Sequence, residues 1–127
     1  MKKKVARLCL GAAVYDVCVR EGYAGEGYMP GKKNPYCRIV VGVGGKDDEQ
    51  VYGTLLHEAQ EVYLCSMQRS FEPDYKASSD SCNKLFVFDH SFFTEMCDDV
   101  AGFMIVAWPC VRKAWVEFHK KKGKADV

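Results

Sequence analysis

The chain is poor in histidine and in every feature that would announce a compartment, a membrane or a polyanionic partner. Only three histidines occur in 127 residues, so imidazole chemistry has to use His57, His90 or His119. No apolar run approaches the roughly 20 residues that a membrane-spanning helix needs; the most apolar stretch, 101–110, is about half that length, and no membrane partner is expected. Net charge is nearly absent, 18 basic against 17 acidic residues giving +1. That balance carries no general electrostatic footprint for nucleic acid, and no nucleic acid is expected as a partner. Short lysine runs at either end (Lys2, Lys3 and Lys4; Lys120, Lys121, Lys122 and Lys124) read as solvated termini. An export signal is missing too: lysines followed by the apolar stretch 5–19 imitate one, but Arg7 and Asp16 interrupt it and no small-residue cleavage site follows. Cys-x-x-Cys spacing is absent, although seven cysteines are present (9, 18, 37, 65, 82, 97 and 110). The odd count, with several cysteines inside apolar runs, predicts buried reduced thiols rather than a disulfide framework or a zinc ribbon. The cytoplasm is the expected compartment.

What remains is an ordinary folded composition, 48% hydrophobic and 28% charged, in a chain long enough for one core without staples. Residues 3–10 and 14–20 are rich in Val, Leu, Tyr and Cys around Gly11-Ala12-Ala13, which predicts a hairpin. Residues 21–35 carry Gly22, Gly25, Gly27 and Gly31 with Pro30 and Pro35, and read as a loop. Residues 36–43 form a β-branched strand. Gly42-x-Gly44-Gly45-Lys46 then joins strand to helix, but its spacing fits neither the dinucleotide fingerprint nor the Walker loop. Asp47, Asp48 and Glu49 would occupy the helix N-terminus that a phosphate needs, so a turn and an N-cap are expected there.

The helix predicted over about 48–69 contains Thr54-Leu55-Leu56-His57-Glu58-Ala59-Gln60-Glu61. At about 100° per residue, Val51, Leu55, Val62, Ala59, Tyr52, Tyr63 and Leu56 fill one apolar arc. His57 and Glu61 lie about 40° apart outside it, with Glu58 alongside. After a polar stretch (70–84), a short apolar strand (85–88) leads into Asp89-His90. An apolar helix follows over about 91–108, Pro109 stops or kinks it, and a last helix covers about 110–119. The expected fold is α+β: a small mixed or antiparallel sheet from the hairpin, strand 36–43 and strand 85–88, packed on the motif helix and the C-terminal helices. A single domain of residues 1–119 is expected, followed by a lysine-rich tail (120–127) without fixed structure.

His-Glu-x-x-His on a helix is the zinc-hydrolase motif, two ligands one turn apart with a glutamate base beside the first. Here Glu61 stands for the second histidine, and glutamate is itself a zinc ligand. Adding His90 gives two imidazoles and a carboxylate, a ligand set that leaves a fourth position for water. Glu58 would take the proton of that water, whose pKa zinc lowers toward neutrality. Asp89 or Glu95 could orient His90 through its second nitrogen. His119, beside the tail, reads as a surface residue. Taken singly, each residue also has a plain alternative. His–Glu pairs on exposed helix faces usually bind nothing, and a histidine at a strand–helix junction can simply cap it.

The order strand, glycine turn, Thr54-Leu55-Leu56-His57-Glu58-x-x-Glu61, polar loop, aromatic strand, Asp89-His90-x-Phe92, and a helix ending near Ala114-Trp115-x-Glu117-Phe118 resembles a group of short uncharacterised bacteriophage proteins. More distantly it resembles minimal zincin-type metallopeptidase domains. The resemblance spans roughly residues 36–119 and implies a motif helix packed on a short sheet, metal ligation at His57 and a general base at Glu58. Glu61 departs from the zincin pattern. Two functions follow as expectations. One is a zinc-dependent hydrolase, zinc being its cofactor and a peptide or protein its substrate, with His57, Glu61 and His90 as ligands and Glu58 catalytic. The other is a non-catalytic binding protein of a phage, acting on a host protein. A third arrangement, a structural metal site or a metal-free His57–Glu61–His90 cluster, would satisfy the same polar groups.

Overall fold

A computed structural model describes residues 2–28, 37–67, 70–71, 85–86 and 89–125. Strand β1 (Lys2–Leu10) turns at Gly11-Ala12 into β2 (Ala13–Arg20). Gly11 takes φ 62°, the left-handed conformation that tight hairpin turns require and that glycine adopts without strain. A β-bulge between Lys4 and Ala6 shifts the pairing of β1 with β2. The extra residue changes the parity of the strand. Lys2, Lys4 and Arg7 therefore share one face, while Ala6, Leu8 and Leu10 point into the core.

Two more strands follow, β3 (Gly25–Tyr28) and β4 (Arg38–Gly42). They complete a four-stranded sheet in the order β1-β2-β4-β3, with β2 and β4 parallel and the other pairs antiparallel. β3 lies inside the stretch expected to be a loop. Its glycines alternate, so Gly25 and Gly27 fall on one face while Glu26 and Tyr28 fall on the other. A glycine count reads as loop; the period of two reads as a strand whose one face is bare backbone.

Helix α1 (Asp48–Ser66) begins at Asp47, with Asp48 and Glu49 in its first turn where they complement the helix dipole. A two-stranded pairing of β5 (Ser70–Phe71) with β6 (Leu85–Phe86) stands apart from the main sheet, so the strand expected over 85–88 does not join it; residues 87 and 88 lie outside the described residues.

The two C-terminal helices expected are one. Helix α2 runs from His90 to Ala125 with Pro109 inside it. Proline in a helix interior costs about 3 kcal/mol. Tertiary contacts beyond Pro109 offset that cost: Ala107 and Val111 are fully buried on either side of it, and Trp115 Nε1 donates to Gly45 O at 2.8 Å. Arg112 Nε lies 3.1 Å from Asp48 Oδ2, tying α2 to the start of α1. The lysines at 120–122 thus belong to a helix and not to a tail without fixed structure.

Both helices lie on one face of the sheet. Tyr15, Val17, Val19, Ile39 and Val41 meet Leu55, Ala59, Val62 and Tyr63 of α1, and Met96, Val100, Phe103, Ala107 and Val111 of α2. The fold is the small α+β class expected. No disulfide links the described cysteines; Cys82 lies outside them. No helix among the described residues is long and apolar enough to cross a membrane.

Candidate functional site

His57 and Glu61 come together as their spacing predicts. His57 Nε2 sits 3.1 Å from Glu61 Oε2 across one turn of α1, with the imidazole 70% exposed and the carboxylate 35%.

Glu58 does not join them. Its side chain is only 8% exposed and lies against β3. A Cβ placed on Gly25 would fall 2.7 Å from Glu58 Cγ, and one placed on Gly27 would fall 3.3 Å from Glu58 Oε2. The bare glycine face of β3 is the space that receives this side chain. Helix geometry explains the outcome. At about 100° per residue Glu58 is some 20° from Val51 but about 60° from Glu61, and Val51 is in the core. The motif glutamate belongs to the buried edge of α1, whereas His57 belongs to its solvent side.

His90 is the first residue of α2 and is exposed. Its neighbour Asp89, one of two candidates to orient it, is engaged elsewhere: Asp89 Oδ1 accepts the backbone N–H of Phe92 at 2.8 Å, an N-cap bond. Among the described residues no group of three or more His, Cys, Asp or Glu side chains is gathered in a way that could hold a metal ion. His57, Glu61 and His90 are therefore one pair and a separate residue.

His119, expected at the surface, is partly buried. Its Nε2 lies 3.1 Å from Val43 O, and its ring packs against Trp115 and Phe118 with centroids 4.8 and 5.3 Å away. It helps anchor the last third of α2 over the β4–α1 junction, a structural role.

A concavity among the described residues lies elsewhere. A groove of about 550 Å³ runs between α1 and α2. Tyr52, Leu56 and Gln60 form one wall; Met96, Met104 and Trp108 are prominent on the other, where Ile105 stands 74% exposed. The Tyr52 and Trp108 rings meet edge to face, with centroids 5.1 Å apart. Of its lining side chains only Gln60 carries a polar group other than the Tyr52 hydroxyl, the Trp108 indole N–H and the Cys97 thiol. Tyr52 and Leu56 read from sequence as part of the core arc; they are the side of it that α2 leaves partly uncovered, Tyr52 being 39% exposed. The signal was an arc wider than one packing partner could cover.

Comparison with protein-family models, with curated proteins and with solved structures finds no match to this chain. The class is accordingly set by the fold and the site themselves: a four-stranded mixed sheet backed by two helices, with an apolar groove between the helices.

Proposed function

We propose that the protein is a non-catalytic binding protein that takes an apolar helical segment of another protein into the groove between α1 and α2. The observation that carries this reading is the separation of Glu58 from His57 and Glu61. A general base must reach the water it deprotonates, and Glu58 is packed on the glycines of β3 while the His57–Glu61 pair faces solvent. The groove supplies the alternative. Two helices flanking an apolar trough is the geometry that accepts the hydrophobic face of a third helix, with anchors one turn apart. Methionines at 96 and 104 are adaptable fillers for such anchors. Tyr52 and Trp108 are of the types that dominate binding energy at interfaces. Exposed apolar residues gathered at one groove also mark interaction sites better than scattered ones do. A phage protein directed at a host protein fits this reading.

The competing proposal, a zinc hydrolase using His57, Glu61 and a third ligand, makes opposite predictions. Affinity purification with a photo-crosslinker at position 101, which also lines the groove, should yield a partner peptide mapped to it. Ile105→Glu should weaken that capture at least tenfold, whereas Glu58→Gln and His57→Ala should leave it unchanged. Stoichiometric zinc in protein purified without added metal, lost in His57→Ala, would instead favour the hydrolase and sink the binding reading.

A further inference from the structure

The sheet has a second face, turned away from both helices. The strand register lays its side chains out in rows: Arg7, Asp16, Arg38 and Tyr28 in one; Lys4, Cys18, Val40 and Glu26 in the next; Lys2 and Arg20 beside Gly42 in the last. The bulge in β1 is what aligns Arg7 with Lys2 and Lys4. Cations outnumber carboxylates on this face, and both carboxylates are already engaged. Asp16 Oδ1 accepts from Arg7 Nε at 2.7 Å; Glu26 accepts from Arg20 Nη1 at 2.8 Å and from the Tyr28 hydroxyl. These bonds hold the Asp16 and Glu26 carboxyls below their usual range, the Arg7 hydrogen bond leading for Asp16 and the Tyr28 hydrogen bond for Glu26.

Lys2, Lys4 and Arg38 have no ion-pair partner among the described residues. Two of them converge on one aromatic ring: Lys2 Nζ stands 5.5 Å and Arg38 Cζ 5.0 Å from the Tyr28 centroid. Arg38 Nε is buried and makes no hydrogen bond. Five cations share this face with two carboxylates, Lys4 and Arg38 acting on Asp16 and Lys2 on Glu26; the excess of like charge repels, and a buried donor left unsatisfied costs free energy. An anion on this face would relieve the repulsion.

We infer that the outer sheet face binds the phosphate backbone of single-stranded nucleic acid, a surface separate from the proposed helix groove. Guanidinium forks match phosphate oxygens. A basic surface interleaved with an aromatic ring is how single strands are held without sequence preference, phosphates on the charges and bases against the ring. A duplex hides its bases from the ring, whereas a single strand can lay a base against it. Near-zero net charge conceals this surface, because the fold sorts charges that composition averages.

Fluorescence anisotropy of a short labelled oligothymidylate tests it on the full chain. With Lys2, Lys4 and Arg38 each taking one phosphate, affinity should fall about 20-fold between about 50 and 200 mM salt, from a slope near −0.7 per phosphate. Lys2→Glu with Lys4→Glu, both exposed, should abolish binding at the lower salt while circular dichroism and Tm stay as in the wild type. Arg38→Gln should weaken it several-fold. Absence of saturable binding by the wild-type protein at low salt would overturn the inference, as would a salt-independent affinity, a result that needs no variant. Displacement of the oligonucleotide by an equal charge of polyglutamate would also overturn it, pointing to acidic proteins as the occupant.

Discussion

Above about pH 10 the protein is expected to lose stability steeply, by about 2.7 kcal/mol per pH unit from two buried phenols alone. Tyr15 is fully buried, and burial first, then the negative charge of the Cys37 thiolate, push its phenol up to about 12. Tyr63 is fully buried as well and is raised further, by burial first and then by the hydrogen bond its hydroxyl donates to Asp99 Oδ2 at 2.7 Å. In the unfolded chain both phenols titrate near the ordinary value of 10.0. Below that value both are protonated in both states, and their contribution is fully present. Above it the unfolded chain releases two protons that the folded chain keeps, so folding is opposed by about 1.4 kcal/mol per unit for each group. For Tyr15 the loss runs until pH passes about 12. Urea unfolding between about pH 9 and 11.5 measures the slope. Tyr63→Phe should halve this part of it while costing about 1 kcal/mol at neutral pH through the lost bond to Asp99. An alkaline slope left intact in Tyr15→Phe and Tyr63→Phe would show that the burial of these phenols is not what sets it.

Gly27→Val is expected to be strongly destabilising, by about 3 kcal/mol, the upper end for forcing extra atoms into a packed site. A Cβ at Gly27 runs into Val62 Cγ1 and lies 3.3 Å from Glu58 Oε2, so α1 would have to lift off β3. Gly53 is the matched control. It sits within α1 but on the exposed face, with nothing within 4 Å of an added Cβ. Gly53→Ala should therefore stabilise, by about 0.5–1 kcal/mol, through helix propensity. Chemical denaturation of the two variants gives opposite signs if α1 rests on the β3 glycines; equal and small effects would mean that it does not.

The hairpin, the β-branched strand and the motif helix were legible because hydrophobic period and turn chemistry are local properties. The errors were all non-local. Residues 25–28 carry too little apolar surface to announce a strand, and become one by pairing with β4. Pro109 is a local stop signal that the burial of Val111 and the anchoring of Trp115 and His119 override. His57–Glu61 was readable, since one turn of helix fixes that distance wherever the helix lies. The third ligand was not, because whether His90 reaches α1 depends on how two elements far apart in sequence are packed.

His57-Glu58-x-x-Glu61 divides the two kinds of information. The sequence by itself determined that His57 and Glu61 face the same way, since a helix repeats every 3.6 residues. It also determined that Glu58 sits beside Val51. Only the tertiary structure decided what covers that edge: a strand with two bare glycines, leaving room for a carboxylate side chain under α1. It likewise decided that α2 would leave Tyr52 partly uncovered and open the groove. Backbone geometry fixes the directions in which side chains leave a helix; what each direction meets depends on the elements packed against it.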